Sequence, residues 1–502
     1  MNTILLFGAG KSATVLIDYL LTEAVTGNWK IIIADSDEIL AEEKLKNSAE
    51  GISVSFDVRD EHKRAHYILQ SDIVISLLPP SLHFLVAKDC LLYKKHLLTA
   101  SYIDSEIEKL RTEVKENDLL FLCEMGLDPG IDHMSAKKLV DDIHTKGGII
   151  RSFISHCGAL VAPESSDNPW QYKISWNPHN VVCAGKGGAS FKQNGQIETY
   201  AYEQIFEEKR YVTVLDEIYC WYPNCDSLVY MDLYNLKECS TFLRTTLRHP
   251  DFMYGWKNLV ELKFTNENIF YETDGMTLMD FFKTHMDRNN FTNWLEQKLQ
   301  DQFKETQGLL QNLVNLVEQK DIKLSKTDAE DEDLMMVNEK GLLEEVDMDD
   351  LKNNAAASIA FKMHESKLTL RQLFFLGMDD DKTIINKGKC SAADILQFAI
   401  QKKLALKDED KDMVVMLHQI EYELNGIHQK IESSLMAMGK INQHTAMAKT
   451  VGLPLGIAAK LILNGTIKTR GLHIPIAKEI YAPILTELEQ HGIIFEEQNQ
   501  LL

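Results

Sequence analysis

Short apolar segments alternate with amphipathic segments over the first 125 residues of the chain. Several of the apolar segments contain no polar position, which is typical of parallel strands in a sheet that helices cover on both faces. The segments between them, such as residues 12–23 and 83–93, have the periodicity of helices. The pattern predicts a doubly wound α/β sheet, with strands at residues 3–7, 30–34, 52–56, 73–77, 97–100 and 119–123.

The pattern changes after residue 150, where the apolar segments become longer and Trp, Tyr and Cys become frequent. Helical segments are interleaved with them, which predicts a second α/β domain with an antiparallel or mixed sheet. Its predicted strands include residues 151–156, 211–221, 228–234 and 240–246.

A polar, helical pattern extends from residue 289 to about residue 363. Within it, residues 327–350 contain eleven acidic residues and one basic residue. So much like charge cannot be buried in a core. We interpret this acidic segment as a solvated helical face or a mobile surface segment.

The composition argues against several classes of partner. The 502 residues carry a formal net charge of -22, whereas nucleic acids and anionic membranes require basic surfaces. No apolar stretch is long enough to span a bilayer. The eight cysteines include no CxxC pair, so neither a metal site nor a redox pair is indicated. Without a secretory signal, they are expected to be reduced thiols of a cytoplasmic protein.

A glycine-rich motif, GAGKSA, directly follows the first predicted strand and opens a helix. It fits the GxGxxG/A fingerprint of a Rossmann dinucleotide site, in which Gly8 permits the turn, Gly10 admits the pyrophosphate and Ala13 keeps the helix close to the strand. The unpaired N–H groups of the helix N-terminus then face the phosphates. An ordinary turn between strand and helix is the alternative. The predicted cofactor-binding residues are Gly8, Ala9, Gly10, Lys11, Ser12 and Ala13.

Asp35 ends the second predicted strand, where a carboxylate can accept hydrogen bonds from both ribose hydroxyls of NAD. The residues that follow, Ser36, Asp37 and Glu38, include no cation for the 2′-phosphate of NADP. We therefore expect NAD as the preferred cofactor, with NADP as the second choice. The alternative is that Asp35 only caps the next helix.

The later strand ends should complete the ligand site, because ligands of such sheets bind beyond the carboxyl ends of the strands. Pro79 and Pro80 could equally serve only to end a strand. The residues expected near cofactor or substrate on this ground are Asp57, Leu78, Pro79, Ser101, Tyr102, Glu124, Met125 and Gly126.

Two long motifs, MGLDPGIDH at residues 125–133 and DNPWQYKISW at residues 167–176, resemble the saccharopine dehydrogenase family, specifically its glutamate-forming branch. The resemblance implies oxidation of the secondary amine of saccharopine by NAD(P)+, which yields L-glutamate and 2-aminoadipate 6-semialdehyde, or the reverse reaction in lysine metabolism. Further resembling segments are residues 98–103, 155–164, 222–227, 246–248, 412–416, 448–463 and 473–481.

The resemblance also implies how the domains are arranged. We expect an N-terminal Rossmann domain at residues 1–127 and an inserted α/β substrate domain at residues 128–285. Residues 286–440 would form a helical region and a continuation of the substrate domain. The C-terminal segment, residues 441–502, would pack back near the Rossmann domain. A homodimer is left open by the sequence.

The expected substrate carries three carboxylates, so its site needs cations, and Arg suits carboxylates best because its planar fork donates two parallel hydrogen bonds. Arg248, in the segment Thr246-Leu247-Arg248, matches a family segment that contacts saccharopine. Arg244, Lys173 and Lys186 are further candidates, although each could be an ordinary surface charge.

Hydride loss from a carbon next to nitrogen requires a neutral amine, so one or two groups must move protons. Asp128 follows the sixth predicted strand and is one candidate; a turn residue before proline is its alternative role. Cys157 matches a family cysteine proposed to take part in proton transfer, although most cysteines are small buried hydrophobic residues. Ser175 and Tyr102 could reach cofactor or substrate through their hydroxyls.

One departure from the family concerns Cys225, which stands where family members commonly have an Arg that binds a substrate carboxylate. Losing a hydrogen bond to a charged group typically costs about 1.5–3 kcal/mol. Two alternatives therefore stay open: a related dehydrogenase that acts on carboxynorspermidine or the ε-amine of lysine, and a non-catalytic NAD-binding regulatory protein.

Overall fold

The computed structural model describes residues 1–324, 335–337, 343–345, 364–365 and 367–502. The chain forms two compact units. The larger unit consists of residues 1–167, 171–250 and 404–502, and it contains both large sheets and the C-terminal segment. The smaller unit consists of residues 168–170 and 251–403. The expected boundaries at residues 285 and 440 therefore fall inside these units.

The N-terminal sheet has seven strands, all parallel, in the order β19-β6-β5-β4-β1-β2-β3. The predicted doubly wound sheet and its six strands are confirmed. The apolar residues of β1 and β4 are buried throughout, as expected for a sheet covered on both faces. The strands are β1 (Asn2–Phe7), β2 (Trp29–Asp35), β3 (Gly51–Ser55), β4 (Ile73–Ser76), β5 (His96–Thr99), β6 (Leu120–Leu122) and β19 (Gly471–His473).

Helices flank this sheet, and the first begins after a short 3-10 turn at Lys11–Ala13. Asp37 and Asp60 cap the second and third helices by accepting backbone hydrogen bonds, the role that Asp favours at a helix start. The helices are α1 (Thr14–Gly27), α2 (Glu38–Leu45), α3 (Glu61–Leu69), α4 (Pro80–Leu92), α5 (Ser105–Glu108) and α6 (Arg111–Glu116).

The C-terminal segment contributes β19 to this sheet and packs the long helix α16 (Ala446–Leu463) against α1. Gly452 and Gly456 permit the close approach, because a Cβ atom at either position would lie within 3 Å of Leu16 or Tyr19 atoms. The expectation that no apolar stretch has the length of a membrane span needs correction, because α16, alone among the described helices, is long and apolar enough to cross a membrane. Most of α16 is buried in the fold. The last helix is α17 (Lys478–Gln490).

The second sheet of the larger unit is mixed and has nine strands, of which seven follow the order β10-β11-β12-β7-β17-β18-β20. Strands β7 and β17 pair antiparallel along almost their whole length, and β12 lies parallel to β7. The strands are β7 (Ile149–Val161), β8 (Ala189–Gln193), β9 (Gln196–Tyr200), β10 (Arg210–Val214), β11 (Glu217–Pro223), β12 (Thr241–Arg248), β17 (Asp412–Leu424), β18 (Ile427–Met438) and β20 (Glu496–Leu501).

Two strand predictions for this sheet need correction. Residues 211–221 form a hairpin of two strands, β10 and β11, rather than one strand. The predicted strand at residues 228–234 is wrong, because its centre is a helix. Tyr230 and Tyr234 are both buried, and their four-residue spacing is that of one helical face. The helices of this region are α7 (Ile131–Thr145), α8 (Pro178–Cys183), α9 (Tyr202–Ile205) and α10 (Val229–Leu233).

The smaller unit is mainly helical around an aromatic core that includes Trp256, Phe264, Phe281 and Phe282. Most of the acidic segment lies outside the described residues; the described parts form a short hairpin of β14 and β15. The elements are α11 (Pro250–Glu261), α12 (Leu278–Arg288), α13 (Phe291–Leu324), α14 (residues 367–375), α15 (Ala392–Lys403), β13 (Phe270–Glu272), β14 (Met335–Val337), β15 (Leu343–Glu345) and β16 (Lys389–Ser391).

Candidate functional site

The loop after β1 has the geometry that a dinucleotide pyrophosphate requires. Gly8 has φ 99°, and a Cβ atom there would lie 2.8 Å from the carbonyl oxygen of Leu77. At Gly10, by contrast, a Cβ atom would meet nothing within 4 Å, so open space adjoins the backbone at the helix start. Ala13 is buried, which brings the helix close to the strand. The residues present therefore fit a dinucleotide at this loop.

Asp35 is tied to the glycine-rich loop. Its Oδ2 accepts a hydrogen bond from the N–H of Ala9 at 2.6 Å, and its Oδ1 accepts one from the N–H of Asp37 at 3.0 Å. The cap of α2 is Asp37, whose carboxylate accepts from the N–H of Leu40. Capping of this helix is thus the role of Asp37, and Asp35 stands at the end of β2 beside the loop.

A cation that the sequence analysis did not consider lies behind this loop. The Nζ of Lys44, on α2, donates to the carbonyl oxygen of Gly10 at 2.6 Å and to Oγ1 of Thr14 at 2.9 Å. Burial lowers the pKa of Lys44 to about 8, while Asp35 and Asp18 act in the opposite direction. The residues directly after β2 lack a cation, yet helix packing supplies one from nine positions downstream of Asp35.

The other strand-end residues differ in their exposure. Asp57 and Pro79 are exposed, and Ser101 and Leu78 are partly exposed. The side chains of three other predicted cofactor residues are buried. Met125 belongs to the apolar core, Glu124 faces inward, and Ser175 hydrogen bonds to the carboxylate of Asp412. A cofactor contact by these three through their side chains stays a prediction that their burial does not favour.

A buried ionic cluster begins immediately after β6. Nη2 of Arg244, on β12, lies 2.5 Å from Oδ1 of Asp128 and 2.7 Å from Oδ2 of Asp132. The amide of Asn224 donates to Oδ2 of Asp128 at 3.4 Å. Nη1 of Arg244 is buried without a hydrogen-bond partner in the described part of the chain. Two carboxylates thus share one guanidinium, which keeps one donor unused.

The two carboxyl groups of the cluster titrate differently. Burial, helped by the charge of Asp132, raises the pKa of Asp128 to about 6, although Arg244 opposes the shift. Burial also opposes ionisation of Asp132, but His133 and Arg244 outweigh it and hold the pKa of that carboxyl below its ordinary value. Asp132 is therefore the permanent counter-ion, and Asp128 can exchange a proton near neutral pH.

Cys157 and Arg248 lie on the neighbouring strands. Cys157 pairs with Thr246 across β7 and β12 and with Met416 across β7 and β17. Burial raises the pKa of the Cys157 thiol well above its ordinary value, and Asp128 adds to the shift. Arg248 is buried between the rings of Tyr172 and Tyr222. The cysteine is therefore a neutral thiol beside a buried cation.

The alternation of β12 separates the predicted segment Thr246-Leu247-Arg248 into two faces. Arg248 and the half-buried Thr246 share a face with Arg244. The side chain of Leu247 is fully buried in an apolar cluster with Leu160 and Val415, and only its carbonyl oxygen contacts Arg248, at 2.9 Å. A substrate contact by the Leu247 side chain is thus not supported.

The other substrate candidates also divide. Cys225 is exposed and has φ 51°, and the charges of Arg244 and Asp128 act on it. The same two charges act on Tyr102, which is also exposed. Lys173, however, is buried in ion pairs with Asp410 at 2.8 Å and Asp167 at 3.0 Å; this lysine is already neutralised within the fold. Lys186 is half-buried.

A network of buried hydrogen bonds adjoins the ionic cluster on the side of the Tyr230 ring. Oε2 of Glu124 accepts from Nε2 of His133 at 2.8 Å and from the hydroxyl of Tyr230 at 3.1 Å. Nδ1 of His133 lies 2.5 Å from the hydroxyl of Tyr234. The ring of Tyr230 in turn lies 4.6 Å below the guanidinium of Arg244. Among the described residues, no group of three metal-ligating side chains occurs.

Together, the open glycine-rich loop and the titratable cluster after β6 define an NAD(P)-dependent oxidoreductase on a Rossmann sheet. Comparison with known families makes the class specific. Residues 4–122 match the saccharopine dehydrogenase NADP binding domain, and residues 126–493 match the saccharopine dehydrogenase C-terminal domain. The chain therefore belongs to the saccharopine dehydrogenase family, as its motifs predicted.

Individual relatives agree with this assignment. The L-glutamate-forming, NADP(+) saccharopine dehydrogenase of Saccharomyces cerevisiae is 30% identical over 500 residues, which cover 99% of both chains. The alpha-aminoadipic semialdehyde synthase of Arabidopsis thaliana is 33% identical over 518 residues; the match covers 98% of this chain but only 44% of that relative. This chain thus spans less than half of the plant relative.

Solved structures show the same fold. The apo saccharopine dehydrogenase (L-Glu forming) of Saccharomyces cerevisiae superimposes with a TM-score of 0.77 at 28% identity, and all of both chains is covered. The NAD complex of homospermidine synthase from Legionella pneumophila has a TM-score of 0.50 at 9% identity, covering 99% of this chain and 91% of that one, and shares the fold alone.

Proposed function

We propose that this protein oxidises saccharopine to L-glutamate and 2-aminoadipate 6-semialdehyde with NAD(P)+, or catalyses the reverse reaction. The observation that carries the proposal is the buried cluster of Asp128, Asp132 and Arg244 directly after β6. It joins a carboxyl group that titrates near neutral pH to two arginines, Arg244 and Arg248, on the strand that matches the family's substrate segment. Such a site suits an anionic amine substrate.

The chemistry divides among the residues of the cluster. The bound nicotinamide supplies the hydride acceptor. Asp128, with a pKa of about 6, accepts the proton of the substrate ammonium at neutral pH and releases it to solvent. The same carboxylate then accepts a proton from the attacking water and returns it to the nitrogen of the departing glutamate. Cys157 is a neutral thiol whose raised pKa opposes proton release, so it can donate a hydrogen bond but is not the base. Arg248 and the unused Nη1 of Arg244 bind substrate carboxylates.

We further propose that NAD is preferred over NADP. Asp35 and Asp37 place negative charge at the end of β2, where a 2′-phosphate would be repelled. Two observations weigh against this preference: Lys44 lies close to Asp35, and the yeast relative is by name an NADP(+) enzyme. Measurement of kcat/KM with both cofactors decides the matter, and a ratio at or below parity contradicts the proposal.

Asp35→Ser combined with Ser36→Arg tests the cause of the preference. The pair removes the repelling carboxylate and adds a cation that can bind the phosphate, so kcat/KM should shift towards NADP. Glu42→Gln is the matched control, because Glu42 is exposed on α2 and its replacement removes one negative charge from the same region without touching a predicted site residue. A similar shift in this control would assign the preference to general charge rather than to Asp35.

The second candidate function is a related amine dehydrogenase, and Cys225 is the observation that favours it. Its exposed side chain lies beside Arg244 and Asp128 but cannot supply the positive charge that the family usually has there. Formation of NADH with saccharopine, lysine and carboxynorspermidine distinguishes the two enzymes. Turnover of none of them, with intact NADH binding, would leave the regulatory alternative.

The substrate is accordingly a small amino acid rather than a macromolecule. The expected cytoplasmic location stays a prediction, because the alpha-aminoadipic semialdehyde synthase of Bos taurus, a relative, is by name mitochondrial. Fractionation of cells tests the location. The homodimer likewise stays open, and light scattering of the purified protein measures it.

A further inference from the structure

A buried histidine connects two strand ends at the ligand-binding edge of the Rossmann sheet. Nδ1 of His83, on α4, lies 2.8 Å from Oγ of Ser76, the last residue of β4. Nε2 of His83 lies 2.7 Å from Oγ of Ser101, which follows β5. Ser76 is fully buried and His83 is 2% exposed, whereas Ser101 reaches the surface. The three side chains therefore form a continuous chain from the interior to the ligand site.

The direction of the hydrogen bonds in this chain follows from the burial of Ser76. A buried hydroxyl proton needs an acceptor, and Nδ1 of His83 is the one side-chain partner of Ser76 within the described residues. Ser76 therefore donates to Nδ1. Burial lowers the pKa of His83 to about 4, with Asp104 acting in the opposite direction, so the ring is neutral and carries its single proton on Nε2.

The consequence appears at Ser101. Its Oγ accepts the proton of Nε2, so its own hydroxyl proton points away from His83. The backbone around it is held as well, because its carbonyl oxygen accepts from the N–H of Glu124 at 3.0 Å and its N–H donates to Oγ1 of Thr99 at 3.3 Å. The next residue, Tyr102, lies within the influence of Arg244 and Asp128.

We propose that His83 is a positioning residue that orients the Ser101 hydroxyl as a hydrogen-bond donor to an anionic group of the bound ligand, with Ser76 setting the histidine tautomer. The anion is a carboxylate of the substrate or a phosphate of the cofactor. The identity of the ligand rests on the proposed function, whereas the direction of the hydrogen bonds from Ser76 through His83 to Ser101 does not. Nothing in the local sequence signals this role, because His83 looks like one more residue of an amphipathic helix.

The tautomer itself is measurable without any ligand. Long-range 1H–15N spectra of the full chain labelled in histidine, with the His83 signal identified by its loss in His83→Phe, should show a proton on Nε2. Ser76→Ala should allow the Nδ1 tautomer. Ser71→Ala is the matched control, since Ser71 is also buried but donates to the carbonyl of Ile68. A proton on Nδ1 in the wild type would overturn the proposal.

The functional arm is a double-mutant cycle. His83→Phe and Ser101→Ala should each lower kcat/KM by about tenfold to a hundredfold, the loss expected for one hydrogen bond to a charged group. The kcat/KM of the double variant should be no lower than that of the less active single variant, because His83 acts through Ser101. The proposal would be overturned if the losses of kcat/KM in the two single variants multiplied in the double variant. It would also be overturned if both single variants kept the wild-type kcat/KM.

Two readouts separate the source of the anion and the fate of the proposed function. A raised KM for saccharopine with an unchanged Kd for NADH assigns the carboxylate; a raised Kd for NADH in both variants assigns the phosphate. Absence of saccharopine turnover in the wild type refutes only the proposed function, because the tautomer spectra still test the hydrogen bonds that join Ser76, His83 and Ser101. Ser76→Ala provides a milder variant if His83→Phe does not fold, and its effect should vanish when Ser101 is already Ala.

Discussion

Replacing Asp128 by Asn removes the proposed proton acceptor while keeping the shape of the side chain. With a pKa of about 6, the carboxyl group is roughly nine-tenths ionised at pH 7 and about one-tenth ionised at pH 5. The wild-type rate of amine oxidation should therefore fall about tenfold between these pH values. Asp128→Asn should lower kcat by roughly 10²–10⁴-fold at pH 7. It should also abolish the acid limb of the pH profile, that is, the fall in rate between pH 7 and pH 5.

The assay is NADH formation from saccharopine under saturating NAD(P)+, recorded from pH 5 to pH 9 for both proteins. Loss of the acid limb in Asp128→Asn, with a near-normal Kd for NADH, supports the role of Asp128. A variant that retains both the limb and a rate within about threefold of the wild type would refute the reasoning, and another group would have to be the base.

The stability of the variant provides an independent check. Because the folded pKa of Asp128 lies above its unfolded value, its favourable contribution to the free energy of unfolding is complete below about pH 4 and is lost as pH rises through 6. At pH 7 the Asn variant should therefore be at least as stable as the wild type, since Arg244 keeps Asp132 as its partner. Arg244→Met, which removes the guanidinium that the two buried carboxylates share, should lose about 3–5 kcal/mol.

Three further predictions concern the charges around the two ligand sites. Lys44→Met should weaken NADH binding and remove a loss of affinity that the wild type shows above about pH 8; fluorescence titration at pH 7 and 9 measures both, and equal pH dependence in the two proteins would contradict the role of Lys44. Arg248→Ala should raise KM for saccharopine about tenfold to a hundredfold with an unchanged Kd for NADH. Cys225→Arg should improve kcat/KM for saccharopine if the wild type handles it poorly, and a worse variant would mean a pocket built for another ligand.

The N-terminal sheet was predictable because each of its signals is local. Continuous apolar runs identify parallel strands, and the glycines of residues 8–13 follow the first of them directly. Asp35 could be placed at the end of β2 by counting alone. The resemblance of residues 125–133 and 167–176 likewise pointed to the family without any structure. Burial on both faces of a strand and the steric demand of a turn each depend on a few neighbouring residues. Both can therefore be recognised directly in the sequence.

The helix at Val229–Leu233 shows where the local pattern becomes ambiguous. A short, largely apolar run of seven residues suits a strand or a buried helix equally well, and only packing on the neighbouring elements decides between them. The pairing of β19 with β6 was beyond local signals altogether, because the two strands are separated by most of the chain.

The chemistry of the site depended most on tertiary structure. Asp128 and Arg244 are 116 residues apart in sequence, and His83 meets Ser101 across 18 residues. Sheet order and register bring these groups within hydrogen-bond distance, and burial then shifts the pKa values of Asp128 and Lys44. The sequence by itself determined which residue types were present and which faces were apolar. The tertiary structure alone decided which charges share a partner, because Coulomb and desolvation energies depend on distance and burial rather than on position in the chain.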